Sequence, residues 1–294
     1  MLEFKKPTLN DIKKITEYYS KYNEFSCENT SANIVIWQNQ FGFRFCENDG
    51  MLFSYVKYGN DICFCLPVAN NMQKAVLMLK EYAKENNIPL CFFAGEGERF
   101  QTFKSLFEEE FSFLEKRDSF EYIYETEKMI SLSGKKYHGK RNHISSFKRS
   151  YEWEYETLTK NNLSFAFEMI NNWYEANKEK EDKYMVMERK GVTQVLENFE
   201  NLNIKGGLLK ANGQVVAVTF GTEINNQVFD VCYEKAFGEY NGAYATINNC
   251  FVSNELASYK YVNREDDMGL LGLRRAKLSY YPEIILKKYL IKEK

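Results

Sequence analysis

The chain has 294 residues, of which 44% are hydrophobic and 27% charged, and its formal net charge is −2. This composition supplies enough apolar side chains for a buried core, and the length predicts about two domains. It excludes a disordered chain, and the near-neutral charge excludes a protein whose overall field recruits nucleic acid.

Cysteine and histidine usage argues against a metal site. The seven cysteines include no CxxC pair, and the two histidines are His138 and His143, so no ligand set has the spacing of a zinc site. The first residues, MLEFKKPTLNDIKK, contain no apolar signal segment, and no run reaches the ~18 apolar residues of a membrane span. We therefore expect a soluble, cytoplasmic protein with no membrane span.

The first part of the chain begins with helices and continues into a meander of strands. Thr8 followed by Asp11 indicates a helix start, and a second helix is predicted at 33–40. The next predicted elements are strands at 43–47, 51–57 and 61–68, a helix at 73–86, a strand at 90–94, a helix at 99–110 and a strand at 120–126.

The second part repeats this order. Its predicted elements are a strand at 151–158, helices at 163–178 and 192–199, strands at 207–210, 214–223 and 227–234, a helix at 245–259, a strand at 261–263, a helix at 271–278 and a strand at 283–291. We therefore predict a duplicated α/β unit with mixed sheets. Its expected divisions are a structural N-terminal domain at 1–130, a basic linker helix at 131–150 and a site-bearing C-terminal domain at 151–294.

The linker is the most basic stretch of the chain. Residues 131–150 hold six Lys or Arg and no acid. Such a concentration is a candidate anion site, with Lys140, Arg141 and His143 placed to hold phosphate in a cleft between the domains. An interdomain helix with a solvated basic rim explains the same pattern.

Acids and bases also crowd together near the carboxyl end. The strand at 261–263 runs into Glu265, Asp266 and Asp267, and Arg274 and Lys277 follow on a helix. A strand that ends in acids beside a basic helix is a common way to build a polar pocket. A solvated turn is the alternative.

Three separated segments resemble the phosphatidylglycerol lysyltransferase C-terminal-domain-like family of bacterial proteins. They are LSGKKYHGKRNHISSF at 132–147, GAYATINNCF at 242–251 and NREDDMGLLGLRRAKLSYYP at 263–282. The resemblance implies a tandem pair of GNAT-like acyltransferase domains. It also implies transfer of an aminoacyl group from a charged tRNA, which in the best-known relatives goes to a lipid headgroup.

The resemblance also implies where a donor would bind. In a GNAT domain, the turn after the central strand binds the pyrophosphate of acyl-CoA through backbone amides at a helix start. Here Gly238, Gly242 and Ala243 supply the small residues of that turn, although Glu239 adds a charge of the wrong sign. The equivalent turn of the first part, at 67–72, has no glycine, so we expect no cofactor there.

Acyl transfer needs a base and a donor to the oxyanion. Asp230, Glu265 and Asp267 are the candidate bases, Tyr233 and Tyr280 the candidate acids or donors, and Arg274 and Lys277 could hold a carboxylate or phosphate. The expected function is transfer of an acyl group from aminoacyl-tRNA or acyl-CoA to an amine or hydroxyl on a small molecule or lipid headgroup. A binding protein that keeps the fold without the reaction is the alternative.

Overall fold

The computed structural model describes residues 2–59, 61–180 and 182–294 and contains two mixed β-sheets with helices packed on them. The helices are α1 (Leu9–Tyr19), α2 (Ser31–Trp37), α3 (Met72–Glu85), α4 (Glu98–Phe107), α5 (Thr126–Ser131), α6 (His138–Ser150), α7 (Leu163–Ala176), α8 (Lys183–Glu197), α9 (Ala243–Glu255) and α10 (Leu271–Leu278). Within the described ranges, none of them is long and apolar enough to cross a membrane.

The strands alternate with these helices along the chain. They are β1 (Arg44–Asn48), β2 (Met51–Tyr58), β3 (Asp61–Cys65), β4 (Cys91–Gly95), β5 (Phe111–Glu115), β6 (Glu121–Glu125), β7 (Trp153–Thr157), β8 (Lys205–Ala211), β9 (Gln214–Asn225), β10 (Val228–Ala236), β11 (Tyr261–Asn263), β12 (Ile284–Leu286) and β13 (Lys288–Glu293).

Both sheets are built on one plan. The first sheet has the order β1-β2-β3-β4-β13-β5, in which β1 to β3 form an antiparallel meander and β4 lies parallel to β3. The second has the order β7-β8-β9-β10-β11-β6-β12, in which β8 to β10 form the meander and β11 lies parallel to β10. The predicted repeat of element order is therefore present in the sheet topology.

The sheets exchange strands. β13 lies antiparallel between β4 and β5 of the first sheet, and β6 lies antiparallel between β11 and β12 of the second. Each exchanged strand hydrogen-bonds on both sides within the other sheet, which leaves neither of its edges open. Each sheet therefore contains one strand from the other side of the predicted division, since β6 lies within 1–130 and β13 within 151–294.

Several element predictions need correction, among them that α5 was not predicted and that the linker helix expected at 131–150 begins only at His138. β5 was not predicted, and the single strand expected at 283–291 is two strands in different sheets, since alternation of side chains carries no information on sheet membership. Helix α8 starts earlier than the predicted 192, because Asp182 caps it by accepting a hydrogen bond from the Met185 amide at 2.8 Å. The side chains in the first turns of α8 are not fully buried, and they lack the 3.6-residue apolar period by which helices were predicted.

One hydrophobic core joins the two parts. It includes Ile12 of α1, Ile34 of α2, and Val192 and Val195 of α8, all buried. Helices α2 and α8 approach so closely at Gly191 that a Cβ there would overlap the backbone of Ile36. The two halves therefore share an interior, and the linker does not hold them as separate bodies.

Candidate functional site

A large cavity opens where β10 and β11 separate. The two strands pair in parallel only from Val228↔Tyr261 to Asp230↔Asn263, after which β11 ends and β10 continues to Ala236. The gap forms a cavity of about 670 Å³ that α6, α9 and α10 complete. Its lining includes Lys140, His143, Trp173, Glu188, Tyr233, Glu234, Lys235, Gly238, Gly242, Ala243, Arg264, Glu265, Asp266, Lys277 and Tyr280.

The start of α9 forms one wall of this cavity. Gly242 precedes the helix with φ +90°, and a Cβ there would overlap the carbonyl oxygen of His143 on α6. The amides of a first helical turn lack partners inside the helix and carry a partial positive charge. Because Gly242 lets α6 approach, the first residues of α9 and Lys140 and His143 of α6 line the same cavity.

Lys140 lies in an unusual setting for a lysine. Its Nζ is 3.9 Å from the centre of the Tyr280 ring, and the guanidinium of Arg264 is 4.9 Å from the same ring. Burial, followed by the charge of Arg264, lowers the pKa of Lys140 to about 8. Its amine is therefore partly neutral near physiological pH.

Arg264 is fixed by an ion pair at the cavity wall. Its Nη2 is 2.7 Å from Oε1 of Glu234, while Asn248 donates to Oε2 of Glu234 at 3.0 Å. Both members of the pair are nearly buried. Sequence reasoning did not select them, although Arg264 opens the charged run after β11.

A second ion pair lies on the β10 side of the cavity. Lys235 Nζ is 3.1 Å from Glu188 of α8 and 4.8 Å from the Trp173 ring. Tyr174 also donates to Glu188 at 2.6 Å. This cluster was also missed, because residues 183–191 were not predicted to be helical.

Tyr233 is a buried side chain of the cavity lining. Its ring stacks on Phe220 with 5.0 Å between centres. Its hydroxyl has no hydrogen-bond partner among the described residues. A buried hydroxyl without a partner is costly, so this one is a candidate contact for a ligand.

Glu265 and Asp266 line the acidic side. Glu265 has φ +55° and accepts a hydrogen bond from Asn33 at 2.8 Å, while burial raises its pKa to about 8. Burial also raises the pKa of Asp266, to about 6. Lys277 does not pair with either carboxylate; its Nζ donates to the carbonyl oxygens of Arg264 and Asp266, which fixes the backbone of the loop.

Four predicted site residues lie outside the cavity lining. Asp230 is fully buried below it, where Thr30 donates to Oδ2 at 3.2 Å and burial raises the pKa of the carboxyl well above its usual value. Arg141 donates to backbone carbonyl oxygens, of Gly134 at 2.8 Å and of Leu132. Neither side chain faces the space that a ligand would occupy.

Asp267 and Arg274, the other two, bind each other. Arg274 Nε lies 2.8 Å from Oδ2 of Asp267, which Arg117 and Tyr122 also contact, and the Gly269 amide donates to Oδ1 at 3.0 Å. Burial alone would raise the pKa of Asp267, but hydrogen bonds from Arg274 and Tyr122 lower it to about 2. Both residues were predicted to belong to a polar pocket, but their ion pair holds the loop in place and does not line the cavity.

A smaller cavity of about 230 Å³ occupies the corresponding place in the first sheet. It opens beside β3 and β4, and its polar lining includes Arg99 and Glu24. Trp37, Glu265, Asp266 and Met268 line both cavities. The first half therefore contributes directly to the surroundings of Glu265.

Solved structures share this fold. A conserved protein of unknown function from Bacteroides thetaiotaomicron VPI-5482 is 33% identical, with a TM-score of 0.93 and full coverage of both chains. L-PGS from Bacillus licheniformis is 13% identical, with a TM-score of 0.64 over 95% of this chain and 91% of that one. A tandem GNAT protein from the clavulanic acid biosynthesis pathway is 8% identical, with a TM-score of 0.52 over 100% and 98%. The fold is therefore tandem GNAT-like, as predicted.

Sequence comparison gives the family. An uncharacterised protein of Mycoplasmoides gallisepticum is 27% identical over 177 residues, which are 58% of this chain and 55% of that protein; the chain thus spans about half the length of that relative. The family model described as phosphatidylglycerol lysyltransferase, C-terminal, matches residues 19–292. The resemblance drawn from three sequence segments is confirmed, and the chain belongs to the phosphatidylglycerol lysyltransferase C-terminal family.

Proposed function

We propose that this protein transfers an aminoacyl group from an aminoacyl-tRNA to an amine or hydroxyl acceptor in the larger cavity. One observation carries the proposal: a single cavity combines an anion-binding wall, made by the start of α9 with Lys140 and Arg264, and an acidic wall, made by Glu265 and Asp266. An aminoacyl ester next to a phosphodiester has the complementary charges, an ammonium and a phosphate. Family membership supports the same reaction class.

The loop before α9 favours aminoacyl-tRNA over acyl-CoA as donor. Residues 237–241, FGEYN, contain no cation, and Glu239 is exposed. A pyrophosphate there would bring two phosphate charges towards Glu239, whereas a tRNA phosphodiester at the start of α9 brings one. An aminoacyl group also brings an ammonium, which acyl-CoA donors of simple acids lack.

Glu265 is the proposed base. The acceptor attacks the ester carbonyl carbon and its proton passes to Glu265. The bond from that carbon to the tRNA ribose oxygen then breaks, and Glu265 returns the proton to the departing oxygen. A carboxyl whose pKa lies near the working pH is suited to such exchange, and the pKa of Glu265 is about 8. Amides at the start of α9 are candidate donors to the oxyanion.

Release of deacylated tRNA tests the proposal. The full chain is incubated with a panel of aminoacyl-tRNAs, and separately with acyl-CoAs, together with amine, polyol and phosphatidylglycerol acceptors. Transfer from aminoacyl-tRNA should fall about 100-fold or more in Glu265→Gln and remain normal in Glu108→Gln, an exposed acid of the first half. Absence of transfer from every donor, or equal activity in Glu265→Gln, would refute the assignment.

The loop at 237–241, which contains Glu239 and no cation, also favours a second candidate. This candidate is a protein that binds the donor without transferring its group. It predicts saturable binding of an aminoacyl-tRNA with no acceptor-dependent deacylation. Filter binding and acceptor-dependent deacylation on the same sample separate the two candidates.

A further inference from the structure

Exposed apolar side chains concentrate on the outer side of the cavity. Leu270 and Leu271 are 59% and 69% exposed and Met268 is 49% exposed, although each is a large apolar residue. Exposed large apolar side chains continue along the same segment at Leu278, Tyr281 and Ile285. Single exposed apolar residues are ordinary, but a cluster of them marks an interaction site.

Helix α10 divides this patch from the cavity. Gly272, Leu273, Ala276, Lys277 and Tyr280 contribute to the cavity lining. Leu271, Arg275 and Leu278 are exposed and recur at helical spacing on the other side. The patch therefore forms the outer lip of the proposed active site.

Cations accompany the apolar side chains. Arg275 lies in the exposed stripe, and Lys136 places its Nζ 4.9 Å from the ring of Tyr281. Lys135 is exposed beside Lys136, and none of these three forms an ion pair with another described residue. Two acids nearby are already paired, Asp118 with Arg274 at 2.8 Å and Glu283 with Lys128 at 2.8 Å.

We propose that this lip, Met268–Leu271 with the outer face of α10 and Lys135 and Lys136, docks the protein on an anionic phospholipid bilayer. Apolar side chains that enter the interface and cations that meet anionic headgroups form the usual pair of signals for reversible membrane attachment. The charge favours a lipid surface over a second copy of this chain, because two copies meeting at this face would bring like charges together. Docking needs no donor and no transfer, so it can be tested independently of the proposed reaction.

Vesicle co-sedimentation tests the proposal with the full chain and no tRNA. We expect binding to vesicles of phosphatidylcholine mixed with an equal amount of phosphatidylglycerol, weaker binding to pure phosphatidylcholine, and loss of binding as salt rises. The Leu270→Ser/Leu271→Ser variant should bind at least about tenfold more weakly. Arg275→Ala and Lys136→Ala should each bind about fivefold more weakly to the mixed vesicles.

A matched control uses leucines of the same exposure on the first half. Leu77 of α3 and Leu114 of β5 are 56% and 58% exposed, so Leu77→Ser/Leu114→Ser should bind like the unmodified protein. Thermal unfolding and light scattering on every variant check folding and oligomeric state. The proposal fails if the unmodified protein does not bind the mixed vesicles, or if Leu77→Ser/Leu114→Ser loses as much binding as Leu270→Ser/Leu271→Ser. It also fails if Leu270→Ser/Leu271→Ser dissociates a dimer and leaves vesicle binding unchanged.

Discussion

Asp267 shows how a candidate catalytic residue becomes a structural one. Its carboxylate is fully buried and is contacted by Arg274, Arg117, Tyr122 and the Gly269 amide. Asp267→Asn should therefore lower the free energy of unfolding by about 3–5 kcal/mol, as expected when one partner of a buried ion pair is removed. Urea denaturation at pH 7 measures this change.

Asp266→Asn is the matched control for this substitution. Asp266 is not fully buried, and burial already favours its neutral form by raising its pKa to about 6. Asp266→Asn should therefore lower the free energy of unfolding by much less than Asp267→Asn. Equal losses in the two variants would contradict a special role for the Asp267 carboxylate.

The same carboxylate predicts a pH dependence of stability. Its pKa is about 2 in the folded protein and 3.8 in the reference state, so its stabilising contribution is complete above pH ~4. It is lost as pH falls from ~4 towards ~2, because the unfolded chain takes up the proton first. Denaturation curves at several pH values should show the difference between the unmodified protein and Asp267→Asn shrinking across that window. A constant difference would mean that the charge is not what stabilises the loop.

Lys140 should react as an unusually nucleophilic amine. Since its pKa is about 8, modification by a small amine-selective reagent should reach half its maximal rate near pH 8, as read from peptide mass spectra. Arg264→Gln should move that midpoint upward, because one cation that disfavours the charged amine is removed and Glu234 loses its partner. A midpoint near the ~10.4 of an ordinary lysine would show that the cavity does not desolvate Lys140.

At the scale of elements, the contact between α6 and α9 depends on one glycine. Gly242→Ala adds a methyl group at φ +90° that overlaps His143, so it should cost at least about 1–2 kcal/mol of stability. Gly238 lies four residues earlier in the same loop, and a Cβ added there would have no neighbour within 4 Å. Gly238→Ala should therefore change the free energy of unfolding by less than about 0.5 kcal/mol. Thermal denaturation of both variants makes the comparison, and equal effects would show that α6 adjusts freely.

The sequence predicted elements better than it predicted their partners. Local periodicity located the meanders, α3 and α9 close to their observed bounds, and the charged run after β11 indicated the right end of the sheet for a pocket. It could not show that Asp267 turns away while Glu265 turns inward, because neighbouring residues of a loop take their directions from backbone angles and from distant partners. Asn33, which bonds Glu265, is 232 residues away.

At the scale of the molecule, the exchanged strands make the halves interdependent. Residues 1–130 alone would lack β13 between β4 and β5, and residues 151–294 alone would lack β6 between β11 and β12. We therefore expect neither fragment to fold by itself, and the full chain to unfold in one transition. Circular dichroism of the fragments, separately and mixed, tests this; a cooperative unfolding curve from either fragment alone would overturn it.

The position of β13 has a consequence for synthesis in the cell. Domains usually fold in the order in which the ribosome releases them, beginning at the amino terminus. Here the first sheet to be translated waits for residues 288–293, which are made after every strand of the second sheet, so β4 and β5 remain unjoined while the whole second half is translated. A stop codon just before residue 288 would consequently damage the part of the protein that was made first.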